Sequence, residues 1–271
     1  MEFLKKRFFK IYIPYIIVVA ISALLPWMYD ATDTIYAFLS HLFLFKMVVP
    51  KYEGSFGNQL WFISTIIQFY LFFIPMCHFK ERNEKVFLPV CFGTSILWWI
   101  FAFLLNKTDI RTWNSFFLQY IWEFALGMHM AGKNYEGNTV LIKKSHLVIG
   151  AVLGIGIQTA MALAEPKLHV FNDVPAFFGY ICLSLLLYNI PVVKRLCIEL
   201  SAYSYEIYLV HILIFKTGFF WLGPEKVISQ IVVGTGLFFV SMIIAYGYKQ
   251  FISKGKYVLQ NHIGRLPMCK E

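Results

Sequence analysis

Charged residues are scarce in this 271-residue chain, where Asp, Glu, Lys and Arg together account for 14% of positions. Soluble domains carry about 25%. Hydrophobic residues instead make up 59% of the chain, and aromatic residues 19%. The composition therefore excludes an ordinary soluble domain and predicts a multi-pass membrane protein.

Acidic residues are the scarcer charged class, with 15 Asp and Glu against 24 Lys and Arg, which gives a net charge of +9. In a soluble chain this excess would suggest a nucleic-acid partner. Here the cations fall in short segments between apolar runs, where Lys and Arg set the orientation of membrane spans. We therefore expect the lipid bilayer as a partner and no nucleic acid.

Cysteine is also sparse, and the pattern of its positions excludes two kinds of site. The five cysteines follow no CxxC or His-Cys spacing. A dispersed, odd set predicts neither a disulfide framework nor a metal site. The first apolar run also lacks an early small-residue cleavage site, so we predict no cleavable signal peptide.

Apolar runs long enough to cross a bilayer as helices recur along the chain. A helix needs about 20 residues to span the hydrocarbon core. Eight segments meet this need: 11–29, 57–78, 86–105, 113–131, 146–164, 174–190, 201–221 and 227–248. A shorter segment, 34–49, contains Ser40, His41 and Lys46 and is predicted to be an interfacial or re-entrant helix. The predicted fold class is an all-α, polytopic helical membrane bundle forming a single domain over 1–271.

The distribution of Lys and Arg predicts the orientation of these spans. If eight spans alternate, most of the cations fall on the side of the N-terminus, which marks the cytoplasmic face. Segments 1–10 and 249–271 are then basic, cytosolic ends. Segments 32–56 and 166–173 are predicted to lie outside, in a protein of the cytoplasmic membrane.

The basic segment before the first span has two interpretations. Lys5, Lys6, Arg7 and Lys10 directly precede the apolar run. Such a cluster is a topology signal or a contact to anionic lipid. It also suits a phosphate-bearing ligand, because Arg offers a planar two-pronged donor and Lys a point charge.

Polar side chains recur at helical spacing within several spans. Residues three or four positions apart share a helix face, and polar faces in a membrane are expected to point inward. Each stripe alone suits hydrogen bonding between helices, whereas all of them together predict a functional cavity. The stripes are Trp61, Ser64 and Gln68; Tyr180, Ser184 and Tyr188; and Ser201, Ser204, Tyr208 and His211.

Gly150, Gly154 and Gly156 resemble a nucleotide-binding glycine run, but no strand precedes them. Small residues four positions apart are typical of helix packing in membranes. We therefore interpret these glycines as a packing face.

Four stretches together resemble the acyltransferase-3 family of integral-membrane O-acyltransferases. They are Phe3 to Tyr15, Leu60 to Ser64 with Tyr70 and Pro75, Phe124 to Gly127, and Ser204 to His211. Their order and spacing match along the whole chain. The resemblance implies an enzyme that transfers an acyl group, usually acetyl from cytosolic acetyl-CoA, to a hydroxyl of a surface polysaccharide or other envelope glycan. Acyl-CoA would be a donor co-substrate, with no bound cofactor and no metal.

The resemblance also implies a role for two residues, and the polar stripes predict roles for others. The Arg-x-x-Arg stretch of the family corresponds to Arg7-Phe8-Phe9-Lys10, where the second position is Lys, so Arg7 and Lys10 are expected to bind the donor. Trp61, Gln68 and Ser204 are expected to line the reaction cavity. Tyr208 and His211 would also lie there as candidate catalytic residues, although His211 is not the equivalent of the histidine in the family's first span.

The family has ten spans, and its first carries an Arg and a His. This chain is expected to lack the first two spans, and hence to have little activity alone. Two other functions remain open from the residues: a transporter or flippase for a lipid-linked sugar, and a non-catalytic membrane remnant or partner subunit.

Overall fold

The structure is a computed structural model that describes residues 2–29, 33–135, 142–164 and 166–263. Within these ranges it contains α-helices and short 3-10 turns, and no strand. The all-α fold class is therefore confirmed. The helices are α1 (Glu2–Ala23), α2 (Thr34–Leu42), α3 (Trp61–Arg82), α4 (Glu84–Leu104), α5 (Arg111–Asn114), α6 (Phe117–Tyr135), α7 (Lys144–Ala164), α8 (Asp173–Tyr188), α9 (Pro191–Ser201), α10 (Ser204–Leu222) and α11 (Val227–Ile263).

Each of the eight predicted spans falls on a helix, although not all of these helices are equally apolar. Among the described residues, five helices are long and apolar enough to cross a membrane: α3, α4, α7, α10 and α11. A sixth span results if α8 and α9, which meet at a bend of 116°, count as one. These helices confirm a polytopic membrane protein, and the number of eight spans stays a prediction.

Two predicted segments have different bounds in the structure. The predicted helix at 34–49 ends at Leu42 and is followed by turns. Ser40, His41 and Lys46 are fully buried there, so these side chains do not face a membrane surface. The predicted tail at 249–271 continues α11 as far as Ile263, and residues 264–271 lie outside the described residues.

The chain divides into two compact units, a division that the sequence pattern does not reveal. Unit 1 comprises Met1–Lys5, Leu44–Glu53 and Trp61–Cys197. Unit 2 comprises Lys6–Phe43, Gly54–Leu60 and Ile198–Glu271.

In unit 1, α7 packs along α8 and α4 packs along α6, with α3 touching both α4 and α6. Two small residues explain the first pair, since Gly154 of α7 lies directly against Gly179 of α8. Aromatic side chains pack between α4 and α6, where Trp122 of α6 is fully buried and its ring centroid lies 5.2 Å from that of Phe92 of α4. In unit 1, the backbones of α7 and α8 therefore approach closely, whereas α4 and α6 are held together by packed aromatic rings.

In unit 2, α10 packs along α11. Gly218 of α10 lies against the side chain of Leu237 of α11, which lets the two helices approach closely. The hydroxyls of Tyr205 on α10 and Tyr248 on α11 bond to backbone carbonyls of α1 and hold it to these helices.

Candidate functional site

The predicted donor residues lie on one face of α1. Arg7 and Lys10 are three positions apart, a spacing that places side chains on the same face of a helix. Both are exposed, as is Lys6. This cationic surface is therefore exposed.

Tyrosine hydroxyls connect the helices of unit 2 to backbone carbonyls of α1. Tyr205 Oη donates to Ile11 O at 2.7 Å, and Tyr248 Oη donates to Pro14 O at 2.6 Å. The two carbonyls belong to Pro14 and to Ile11 in the preceding turn of α1, a stretch in which the proline removes one backbone hydrogen bond. These bonds fix α1 against α10 and α11 close to its proline.

A buried hydrogen-bond chain joins three further segments of unit 2. Tyr15 Oη lies 2.6 Å from His41 Nδ1, and His41 Nε2 lies 2.8 Å from Ser55 Oγ. All three residues are fully buried. A serine beside a histidine resembles a nucleophile with its base, but complete burial of all three favours a structural role. We therefore treat this chain of bonds as a tie between α1, α2 and the turn before α3.

His211, one of the two candidate catalytic residues, has a defined tautomer. Its Nδ1 lies 3.1 Å from the carbonyl oxygen of Ile207. Because a carbonyl only accepts hydrogen bonds, Nδ1 carries the proton and Nε2 carries the lone pair of the neutral ring. His211 is half-buried on α10, and its ring centroid lies 6.3 Å from that of Tyr208. A neutral His211 therefore has the form of a general base.

Tyr208 donates its hydroxyl proton to the carbonyl oxygen of Gln59. This bond holds the phenol in place beside His211, which suits a positioning role better than proton transfer.

Two of the predicted polar stripes contain exposed residues. Ser204 is exposed, and its Oγ donates to Ser201 O at 3.0 Å, a local bond at the start of α10. Tyr180 and Tyr188 of α8 are about half exposed, and Ser184 is exposed as well. The face of α8 that was predicted to point inward is therefore exposed within the described residues, and the place of Ser204 in a reaction cavity stays a prediction.

Trp61 and Gln68, the remaining cavity candidates, belong to unit 1. Trp61 stacks on Tyr120 with ring centroids 5.6 Å apart, and the Arg111 guanidinium lies 5.1 Å from the Trp61 ring. Gln68 Oε1 accepts a bond of 3.3 Å from the backbone N–H of Phe117 at the start of α6. Gln68 therefore joins α3 to α6, and Trp61 contributes an aromatic surface.

That aromatic surface borders an apolar groove between α3 and α6. The groove has a volume of about 610 Å³, and more than half of its lining residues are aromatic. Its other lining residues include Thr65, Glu123 and Gly127. Trp61 and Tyr120 lie along it.

A second, smaller cavity in unit 1 is polar, and we call it the polar pocket. It has a volume of about 400 Å³ and includes Asp109, Arg111, Asn114, Gln119, Asn172 and Asp173 in its lining. Tyr120 borders both the polar pocket and the apolar groove.

Sequence reasoning missed the polar pocket, although one signal was present. Gln119 is a polar residue within the predicted span 113–131, and such residues in membrane spans are usually functional or paired. Its partners come from residues more than 50 positions away, which no local spacing reveals.

The comparison with family models decides the wider identity. A model of the acyltransferase-3 family, described as an acyltransferase domain, matches residues 1–248. The chain belongs to this family. No curated protein and no solved structure matches it.

Membership in the acyltransferase-3 family supports a general function as a membrane acyltransferase, and the long apolar helices agree with a membrane location. The match includes α1 with Arg7 and Lys10, and α10 with Tyr208 and His211. The roles of these residues, the donor and the acceptor stay predictions.

Proposed function

We propose that the protein is a membrane O-acyltransferase that moves an acyl group, acetyl in the simplest case, from cytosolic acyl-CoA to a hydroxyl of a surface polysaccharide or other envelope glycan. The observation that carries this proposal is the acyltransferase-3 match over residues 1–248 of a helical membrane chain. In this proposal the protein lies in the cytoplasmic membrane with both termini on the cytosolic side.

The exposed cations of α1 support acyl-CoA as the donor. Coenzyme A carries several phosphate groups, and charge-assisted bonds from Arg and Lys are the strong contacts for such groups. Arg7 and Lys10 share a helix face, so both reach one ligand. Lys10 supplies charge at its position but not the two-pronged geometry of Arg.

The transfer step needs a base for the acceptor hydroxyl. The hydroxyl oxygen attacks the thioester carbonyl, the carbon–sulfur bond breaks, and the departing thiolate of coenzyme A takes up a proton. We assign the base to His211, because its Nδ1–H is held by Ile207 O and its Nε2 lone pair can accept the hydroxyl proton. Tyr208 positions the ring beside it.

The test uses membranes that contain the protein, incubated with acetyl-CoA labelled in the acetyl group and with glycans extracted from the host envelope. Because the sequence predicts little activity from the chain alone, we expect a small but measurable release of free coenzyme A together with label in the glycan as an alkali-labile ester. Membranes with an Arg7→Ala, Lys10→Ala double variant provide the matched control. Absence of both products from membranes with correctly inserted protein would contradict the proposal.

A further inference from the structure

One acidic side chain lies within the apolar groove between α3 and α6. Among the described residues that line this groove, Glu123 is the single one with an ionisable acidic or basic side chain. Glu123 is half-buried on α6, so its carboxylate stays accessible from the groove. The groove therefore contains a charge-bearing group that a ligand can reach.

The protein supplies this carboxylate with no partner. Within the described part of the chain, Glu123 accepts no hydrogen bond and forms no ion pair. The carboxylate of Asp173 is close enough to act on it, and two like charges repel. A carboxylate in apolar surroundings is stabilised by an opposite charge, and ionisable residues in membrane segments usually mark functional sites. A positively charged ligand would meet this need.

Aromatic rings form much of the wall around the carboxylate. Phe69 and Phe124 stack with ring centroids 4.4 Å apart, and Trp61 stacks on Tyr120 at 5.6 Å. The faces of aromatic rings attract cations. The Trp61 ring already accommodates one, since the Arg111 guanidinium lies 5.1 Å from its centroid. Apolar walls and one carboxylate together suit a cation that carries apolar groups.

The cavities at the two ends of the groove bring no net positive charge to it. One shares Phe73, Met128 and Ala131 with the groove, and the other is the polar pocket, which shares Tyr120. The first is lined by the ionisable residues Lys80, Glu81 and Glu84, with His78 lying 3.6 Å from Glu81, and the polar pocket by Asp109, Arg111, His169 and Asp173. Even if both histidines carry a proton, the carboxylates balance the cations in each set. An anionic ligand is therefore disfavoured.

The groove also has room for a lipophilic cation. Its volume of about 610 Å³ falls within the roughly 300–1,000 Å³ of small-molecule sites. Gly127 lies one helical turn beyond Glu123 on α6, and a Cβ at this position would meet no atom within 4 Å. The helix surface beside the carboxylate is therefore open rather than filled by a neighbouring side chain.

From these observations we infer that the apolar groove binds a lipophilic organic cation, an ammonium or phosphonium centre bearing aromatic or alkyl groups, with its positive charge beside Glu123. The apolar groups of the ligand pack against the aromatic walls. A neutral occupant such as the acyl chain of a lipid is disfavoured, because it leaves the carboxylate unpaired. The inference concerns binding alone and does not rest on the proposed function.

Two pairs of substitutions separate the effect of charge from the effect of space. Glu123→Gln removes the negative charge and keeps the shape, and Glu206→Gln makes the same change at a half-buried position of α10 in unit 2. Gly127→Leu fills the groove, and Gly156→Leu adds the same side chain on α7, where a Cβ also meets nothing within 4 Å. Neither added Cβ clashes with the protein, so both leucine variants should fold.

The experiment measures binding of tritiated tetraphenylphosphonium to the purified full chain in phosphatidylcholine nanodiscs, with empty nanodiscs as the background. We expect saturable binding that Glu123→Gln and Gly127→Leu each weaken by about tenfold or more. Glu206→Gln and Gly156→Leu should leave it unchanged. Triphenylphosphine oxide, a neutral molecule of similar shape, should not displace the probe at equal concentration.

Three results would overturn the inference. The first is binding no greater than that of empty nanodiscs, and the second is binding that Glu123→Gln or a folded Gly127→Leu protein does not weaken. The third is displacement of the probe by triphenylphosphine oxide as effectively as by unlabelled tetraphenylphosphonium, which would identify a neutral apolar occupant. Thermal unfolding midpoints verify that the variants are folded, and if Gly127→Leu is not, the two Gln variants decide the matter.

Discussion

Tyr15 Oη lies 2.6 Å from Nδ1 of His41, and this contact joins the first two helices of unit 2 inside a fully buried environment. His41 also bonds to Ser55 through its other nitrogen. Both ring nitrogens of a buried histidine are thus used within the protein, which is how buried polar groups are stabilised.

Tyr15→Phe should therefore destabilise the protein by about 1–3 kcal/mol, because it leaves a buried histidine nitrogen without its partner. The measurement is the thermal unfolding midpoint of the purified protein in detergent. Tyr36→Phe is the control, since Tyr36 is 63% exposed on α2. An unfolding midpoint for Tyr15→Phe equal to that of the control would show that the bond contributes nothing.

Gly154→Ala should separate α7 from α8 and destabilise unit 1 by about 1–3 kcal/mol. A Cβ at this position would lie 2.5 Å from Gly179 Cα and 2.6 Å from Pro175 O, both backbone atoms that cannot move independently. Gly156→Ala is the matched control on the same helix, because its Cβ would meet nothing within 4 Å. Thermal unfolding and expression level in membranes both report the difference, and equal values for the two variants would refute the packing interpretation.

Arg7→Ala should raise the KM for acetyl-CoA by roughly tenfold to a hundredfold, since a charge-assisted bond contributes about 1.5–3 kcal/mol. Insertion should stay normal because Lys5 and Lys6 preserve the orientation signal. Lys254→Ala, which removes an exposed cation near the end of α11, should leave this KM unchanged. An unchanged KM in a correctly inserted Arg7→Ala protein would mean that the cluster acts only in topology or lipid contact.

His211→Gln should lower kcat by about 100- to 10,000-fold if His211 is the general base. His146→Gln, at an exposed position of α7, serves as the control. A variant that keeps its rate would exclude this role.

Orientation in the membrane can be measured with two matched substitutions in a variant without native cysteines. Lys167→Cys and Lys85→Cys both replace exposed lysines, in segments predicted to lie outside and inside respectively. On intact cells an impermeant maleimide should label the first and not the second. Equal labelling of the two would contradict the predicted topology.

The positions of the long apolar helices followed from the sequence alone, because a long apolar run in a membrane must satisfy its backbone hydrogen bonds within the segment. The short helix α9 was not predicted. The packing role of the glycines in 150–156 followed for a similar local reason. It is confirmed for Gly150 and Gly154, which lie against α8, but not for Gly156, where an added Cβ would meet nothing within 4 Å. The acyltransferase-3 resemblance was likewise carried by motifs within the chain and is confirmed by the family match.

Only the tertiary structure decided which polar residues are enclosed. Helical spacing shows that Tyr180, Ser184 and Tyr188 share a face, but the neighbouring helices determine where that face points, and it is exposed. Gln119 belongs to none of the predicted polar stripes. Its buried side-chain nitrogen is satisfied by acceptors of Val170 and Asp173, which lie far away in the sequence. Spacing along one helix is a property of the sequence, whereas burial and hydrogen-bond partners depend on contacts between segments far apart in it.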